Sequence, residues 1–273
     1  MSPNDVEKHI EIELRKRERE PRLKDKDLFE VVEEVFDRRT VLAVIELKRR
    51  GCIKQLKGVI SAGKEARVYW AKGPENNDLA VKIYLTVTAE FRKSIWKYIK
   101  GDPRYEWIGN LPRHKLIMAW TRKEFSNLKR MYNAGVRVPK PICFYQNVLV
   151  MEFIGENGVR APLLKEAVEQ GELEKSDAEK LFWDIIENIK TMYWRAGLVH
   201  ADLSEYNIML WNGKPYIIDV SQAVRVDHPH AQSFLYRDIY NIVRFFSEDL
   251  GLDIPSADEI YEDITSSEVN EVE

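Results

Sequence analysis

The spacing of apolar residues changes character along the chain, and each change marks an element. Up to residue 57 the sequence is dense in charge and reads as helix, with Val31, Val35, Val41, Leu42, Ile45 and Leu47 forming an apolar stripe towards its end. From residue 58 apolar and polar positions alternate over 58–61, 66–71 and 79–84, which predicts three strands. A helix over 121–133 follows, and two more strand-like runs, 142–145 and 148–153, complete a small antiparallel sheet with one main helix. Beyond Gly155 helical spacing returns. Ser176-Asp177-Ala178-Glu179 has the form of a capping box, Leu181, Phe182, Ile185, Ile186 and Ile189 make one apolar face, and Gly197 can close the helix. A last helical run covers 234–246. The predicted organisation is a helical extension over 1–57, a sheet lobe over 58–155 and a reduced, mainly helical lobe over 156–273, in the α+β class.

One connection does not fit the ordinary range. Residues 86–113 are long for a link between a strand and a helix, and they mix Phe91, Trp96, Tyr98, Tyr105 and Trp107 with many charges. We expect a partly ordered lid or docking segment there, with aromatics between cations that could stack on single-stranded RNA.

Composition narrows the class. A hydrophobic fraction of 44% over 273 residues is enough for a sizeable core and excludes a disordered or fibrous chain. Charged residues make up 32% while the net charge is only -3, so the surface carries both signs and no dominant polyanion-binding field. No apolar run approaches the roughly 20 residues that span a bilayer, and the N-terminus is charged almost from its start. Cys52 and Cys143 have no ligand-like spacing, and two such cysteines fit a reducing compartment. A cytoplasmic protein with no membrane partner is the expectation.

Three polar residues in the last third are spaced as phosphoryl transfer requires. Moving a γ-phosphoryl group takes a carboxylate that orients the acceptor oxygen, plus a carboxamide and a second carboxylate that hold magnesium against the phosphates. In Leu198-Val199-His200-Ala201-Asp202-Leu203-Ser204-Glu205-Tyr206-Asn207, Asp202 opens a loop and Asn207 ends it. The apolar run Tyr216-Ile217-Ile218 then delivers Asp219 to the same place. Each residue alone reads as a turn or strand-end residue. The set gains weight from Lys82, which lies in the alternating strand Leu79-Ala80-Val81-Lys82-Ile83-Tyr84, and from Glu124 in the helix after it, where an ion pair would aim the amine at nucleotide. His200 is expected to be a packed core residue, and Asp238 to hold the backbone of the 200–207 loop from below.

The chain resembles the RIO family of atypical protein kinases, on Ser61-Ala62-Gly63-Lys64-Glu65-Ala66-Arg67-Val68-Tyr69, His200 to Asn207, and Ile218-Asp219-Val220-Ser221-Gln222, the first and last being most similar to the Rio-one subfamily. The resemblance runs from about Arg38 to about Glu248. It implies a two-lobed kinase-like fold and an ATP- and Mg2+-dependent serine/threonine kinase or ATPase, with Mn2+ as an alternative cation. Asp202 and Asp219 would be catalytic, and Asn207 and Asp219 would hold the metal. Ser61, Gly63 and Lys64 would line the phosphates with Lys82 and Glu124. Ile60, Val68, Ala80, Met209 and Ile218 would sandwich adenine, and the backbone at Glu152 and Ile154, past Met151, would bond its edge. The family further implies a role in maturation of the small ribosomal subunit, with precursor-subunit protein and rRNA as partners, a protein hydroxyl as one acceptor, and a phosphoaspartate at the residue matching Asp219.

Several departures from ordinary protein kinases bear on function. The phosphate loop has one glycine, Gly63, instead of three. Ala201 replaces the arginine that reads a phosphorylated activation loop, and Val220-Ser221 replaces Phe-Gly. Only 54 residues follow Asp219, which predicts no peptide platform, and fewer than about 60 precede the loop, which is short for a winged-helix domain. Two classes stay open: a kinase acting on a protein hydroxyl, and an ATPase switch that controls release from a ribonucleoprotein. A small-molecule phosphotransferase with a similar His-x-Asp…Asn loop is a third.

Overall fold

The computed structural model describes residues 37–85, 89–100, 102, 104–105, 111–171, 173 and 175–266. Val31, Val35, Trp107 and the expected helix before residue 37 lie outside these. Ala43–Glu273 forms one compact unit, and the described residues before it are the opening of a helix. That helix, α1 (Arg38–Arg49), starts at Asp37, whose carboxylate accepts the Thr40 N–H at 2.8 Å and so satisfies an orphan donor of the first turn.

The sheet is built from β1 (Gln55–Ala62), β2 (Ala66–Lys72) and β3 (Asp78–Tyr84), and then, after two helices, β4 (Pro141–Tyr145) and β5 (Val148–Glu152). All neighbours are antiparallel, in the order β1-β2-β3-β5-β4. Strand β1 starts three residues earlier than the expected 58, because register shifts at Leu56/Val59 and Val59/Ser61 break the alternation that marks a strand in sequence. In the centre, every residue of β3 after Asp78 is buried, Lys82 included. Lys82 sits opposite Val68 on one side and Leu149 on the other, which fixes its strand position.

The long connection contains a helix rather than a loop. Helix α2 (Ala89–Ile99) buries Ile95, Tyr98 and Ile99, spaced i, i+3, i+4, and Tyr98 lies 5.8 Å from the ring of Phe234. Tyr98 and Tyr105 are therefore core residues and not stacking platforms, which corrects the RNA reading for those two; Trp96 is exposed. Helix α3 (Arg113–Asn133) begins eight residues before the expected 121, directly after Pro112, and its buried stripe runs Leu116, Trp120, Glu124, Asn127, Met131.

Past β5 the hairpin β6 (Gly155–Glu156) and β7 (Val159–Arg160) leads to α4 (Leu164–Glu169) and α5 (Lys175–Trp194). Leu181, Phe182, Ile185, Ile186 and Ile189 of α5 are all buried, as the apolar face required, and Gly197 follows it at φ 58°. The helix already includes Lys175, so it opens before the expected Ser176. Short strands then carry the loops: β8 (Leu198–Val199), β9 (Ile208–Trp211), β10 (Lys214–Ile217) and β11 (Val224–Arg225), with a 3-10 turn over Val220–Gln222. Helix α6 (Ala231–Arg244) runs into a π-turn at Phe245–Asp249, and α7 (Ala257–Ser266) closes the described chain. One core joins the sheet lobe to the helical lobe, with Leu149, Leu116 and Trp120 in the same cluster as Ile185, Ile208, Ile217 and Ile239.

Cys52 and Cys143 are joined as a disulfide across 91 residues, with their Cα atoms 6.5 Å apart. Among the described residues, no helix is long and apolar enough to cross a membrane.

Candidate active site

A cavity of about 420 Å³ opens between the sheet and the β9–β10 hairpin. Its walls include Ile60, Ser61, Gly63 and Lys64 from β1 and the following turn, Val68 from β2, and Ala80 and Lys82 from β3. They also include Glu124 from α3, Met151, Glu152 and Ile154 after the sheet, and Asn207, Met209, Ile218 and Asp219 from the helical lobe. Every residue proposed from sequence for nucleotide or metal is thus on one wall or another. Asp202 is not; it stands exposed at the start of the loop.

Lys82 is the centre of the charge arrangement. Its Nζ donates to Glu124 Oε1 at 2.7 Å and to Asp219 Oδ1 at 2.9 Å. The other oxygen of Glu124 accepts the Tyr84 hydroxyl. Burial would lower the Lys82 ammonium, but Asp219 and Glu124 outweigh it and hold its pKa well above the ordinary lysine range. Burial likewise works to raise Asp219, and the Lys82 charge overcomes it, so the carboxyl stays ionised below its usual value. The Asp219 side chain remains 46% exposed towards the cleft.

The backbone holds these groups by specific bonds. Ala201 sits at φ 70° and Asp219 at φ 58°, both left-handed positions that cost a non-glycine residue energy and need outside support. For Ala201 the support is Asp238, whose carboxylate accepts the Ala201 N–H at 2.7 Å and the Leu203 N–H at 2.9 Å, as expected from sequence. Burial raises the Asp238 carboxyl to about 7, against the pull of those two donors. Arg237 also donates to the Ala201 carbonyl and Asn241 to that of Leu203. Asn207 Nδ2 donates to the Asp202 carbonyl at 2.7 Å, closing the loop on itself, and the Ile218 N–H donates to the Asn207 carbonyl at 2.9 Å. His200 is 1% exposed with Nε2 on the Ile218 carbonyl, the packed core role assigned to it. Partial burial raises the Asp202 carboxyl, while His200, Arg237 and Lys97 pull it down.

The turn at Gly63 is tight. A Cβ on Gly63 would lie 3.2 Å from the Ala66 carbonyl, the same oxygen that accepts the Gly63 N–H at 3.0 Å. Here glycine permits a close turn, at a φ that other residues also adopt.

The model of the RIO1 family, described as RIO domain, matches residues 67–259. The chain belongs to the RIO family. Its RIO relatives include RIO1 serine/threonine-protein kinases of Caenorhabditis elegans, 43% identical over 94% of this chain and 49% of that protein, and Homo sapiens, 42% identical over 82% and 39%. A RIO-type serine/threonine-protein kinase Rio1 of Haloferax volcanii is 43% identical over 90% of this chain and 81% of its own length. The chain thus spans about half or less of the two eukaryotic relatives. Among solved structures, the Rio2 kinase of Chaetomium thermophilum in its ADP/Mg2+-phosphoaspartate complex superposes with a TM-score of 0.59 at 23% identity, covering 81% of this chain and 65% of that one. That likeness establishes the two-lobed RIO fold.

Sequence reasoning missed several wall residues of this RIO site. Glu65 lines the cavity from the Gly63 turn, and burial together with the Asp219 carboxylate raises its own carboxyl. Its place inside the Gly63 turn was the available signal. Tyr206, 56% exposed at the cleft, lies between Asp202 and Asn207 in sequence. Arg160 reaches the wall from the β6–β7 hairpin, clamped by Glu166 at 2.6 and 2.7 Å, and nothing in sequence marks it.

Proposed function

We propose that this RIO chain transfers a phosphoryl group from ATP in a magnesium-dependent reaction, as an atypical serine/threonine kinase, an ATPase, or both. The observation that carries the reading is the double contact of Lys82 with Glu124 and Asp219 inside a single cavity that also contains Asn207 and the phosphate turn. Lys82 between two carboxylates leaves a net negative site, which a divalent cation would offset, and that cation would in turn carry the triphosphate.

The residues fit a hard cation. Asn207 spends its N–H on the Asp202 carbonyl, which leaves its amide oxygen for a metal, and Asp219 offers an ionised carboxylate to the cleft. Few protein oxygens plus phosphate oxygens is the pattern that suits magnesium, and manganese takes the same oxygen donors. Magnesium bound there would neutralise charge on the phosphates. Lys82 would bond phosphate oxygens, Ser61 and Lys64 would face the same groups, and the apolar walls at Ile60, Val68, Ala80, Met209 and Ile218 would enclose the base, with backbone groups at Glu152 and Ile154 on its edge. Asp202 would accept the hydroxyl proton and orient the attacking oxygen.

A second reading, the ATPase switch with a phosphoaspartate at Asp219, is favoured by the shortness of the segment after that residue. Between Asp219 and the start of α6 at Ala231 lie only a 3-10 turn, the two-residue strand β11 and a turn, so no extended segment is present to hold a peptide acceptor. Asp219 is ionised, half-exposed and held by Lys82, as a carboxylate nucleophile must be. The related Rio2 kinase carries a phosphoaspartate in its solved complex. Precursor small-subunit protein and rRNA as partners, and a cytoplasmic location, complete the proposal on the strength of the family. The small-molecule phosphotransferase reading gains nothing from the family match, which is to RIO serine/threonine-protein kinases.

The test uses magnesium and γ-labelled ATP, with and without precursor small subunits. Acid-stable label on added protein supports the kinase, and hydroxylamine-sensitive label on the chain, stimulated by the particle, supports the switch. Asp202→Ala should keep its thermal midpoint and ATP affinity while losing about 10²–10⁴-fold in turnover. Full activity in that variant would remove Asp202 from the mechanism.

A further inference from the structure

Helix α3 does more than present Glu124. Its neighbour Lys123 is completely buried, and Lys123 Nζ donates to the Ser221 carbonyl at 2.7 Å and the Ala223 carbonyl at 2.6 Å. One turn further on, Asn127 Nδ2 donates to the Val220 carbonyl at 2.9 Å and the Ala223 carbonyl at 3.2 Å. Two side chains of one helix therefore bind three carbonyls of the turn that begins immediately after Asp219. The Lys123 ammonium is walled by the rings of Trp120, 5.0 Å away, and Tyr105, 5.9 Å away.

The placement matters because Asp219 is strained. At φ 58° and ψ 56° it occupies a left-handed position that an aspartate leaves unless its surroundings fix it. Its side chain is fixed by Lys82 and by Ser221 Oγ, which donates to Oδ1 at 3.0 Å. Behind it, its backbone is held through the turn that Lys123 and Asn127 grip. With those donors removed, the Ser221 and Ala223 carbonyls would have to find other partners, while that of Val220 keeps the Ala223 N–H at 3.2 Å, and a buried carbonyl without a partner costs enough to reorganise a short turn.

We propose that Lys123 and Asn127 are positioning residues that lock the turn behind Asp219, so that α3 sets the Lys82–Glu124 pair and the metal-side aspartate as one rigid unit. The proposal rests on the reading of Asp219 as the cation ligand. Any shift of α3 would loosen both halves of the site together. Asp102 and Arg104, the ion-paired residues that follow α2, both act electrostatically on Lys123, so the long connection abuts this lock.

The experiment measures, on the full chain, ATP turnover against magnesium concentration, ATP affinity in EDTA, and thermal midpoint, for Lys123→Met, Asn127→Leu and Asp219→Asn. Lys123→Met should lower turnover about tenfold or more and raise the magnesium half-saturation about fivefold, with metal-free ATP affinity within about twofold. Its midpoint should change little, because removing a buried charge offsets the cost of leaving the Ser221 and Ala223 carbonyls without that donor. Asn127→Leu should move magnesium half-saturation in the same direction. A lower midpoint with unchanged magnesium half-saturation would make both residues structural and overturn the proposal, as would turnover and half-saturation that stay within about twofold in both variants. If Lys123→Met does not fold, Asn127→Leu decides by the same readouts. Asp219→Asn separates the two levels. Retained magnesium-dependent turnover there sinks the reading of Asp219 itself, whereas its loss alongside intact Lys123 and Asn127 variants sinks only the lock.

Discussion

Arg122, Lys123 and Glu124 are three consecutive charges on α3, and the fold treats them differently: Arg122 is exposed, while Lys123 and Glu124 are buried. Burial pushes the Lys123 ammonium down to about 7 from an ordinary 10.5, against the attraction of Asp102. Between those two values the folded chain holds fewer protons on this residue than the unfolded chain does. Stability must therefore rise with pH across that window, and the cost of charging is complete below it. From pH 7.5 to 9.5 the gain from this one group is about 2 kcal/mol. Urea unfolding at the two pH values should show that gain in the natural chain and lose it in Lys123→Met; an identical pH slope in both would mean that Lys123 stays charged in the fold. The same three residues show what sequence could reveal. Glu124 was found because a strand lysine before it needed a partner, as Asp202, Asn207 and Asp219 were found by their joint spacing. Lys123 and Asn127 were not, since an Arg-Lys-Glu run at helical positions reads as a solvated face. Their partners are backbone carbonyls, which leave no mark in the sequence.

Elements were legible where alternation or helical spacing was unbroken. β3 and α5 follow their patterns closely, whereas β1 was shortened by its bulges and α2 was hidden by charges around Ile95, Tyr98 and Ile99. Two hairpins carried a signal that the sequence reading passed over. Asn212-Gly213, at φ 50° and 69°, joins β9 to β10, and Asn157-Gly158, at φ 54° and 82°, joins β6 to β7, both as the two-residue Asn-Gly turn demands. The second hairpin sets the edge of the cavity, and its first residue, Gly155, has little freedom. At φ 141° a Cβ would stand 2.3 Å from the Val159 carbonyl and 2.8 Å from the Arg160 Cα, both backbone atoms that cannot swing aside. Gly155→Ala should cost on the order of 3 kcal/mol of stability and weaken ATP binding by displacing Ile154 and Arg160. Gly171→Ala is the matched control. At φ 70° with nothing within 4 Å it carries backbone strain alone, so it should cost about 1 kcal/mol and leave ATP affinity as it was. Equal effects from the two substitutions, read by unfolding and by nucleotide titration, would show that contact with the hairpin backbone is immaterial.

At the scale of the whole molecule, the site depends on a sheet lobe and a helical lobe held in one compact unit, with Lys82 bonded across the cleft to Asp219. The Cys52–Cys143 disulfide acts within the sheet lobe. It joins the segment between α1 and β1 to β4, enclosing β1, β2, β3, α2 and α3 in a loop of 91 residues. Neither cysteine lines the cavity, so the cross-link should act on stability and not on chemistry. Closing a loop of that length removes conformational freedom mainly from the unfolded chain, a contribution of about 4.6 kcal/mol in the chain-entropy model. Cys52→Ser with Cys143→Ser should therefore lower the denaturant midpoint substantially while ATP turnover per folded molecule stays within about twofold at a temperature where both forms are native. Reductant should reproduce the shift in the natural chain and do nothing to the double variant. Intact mass under non-reducing conditions, compared before and after thiol alkylation, reports whether the bond forms. A natural chain that takes up two alkyl groups when native and shares its midpoint with the double variant would show the sheet lobe to be closed by its core and its strand order alone.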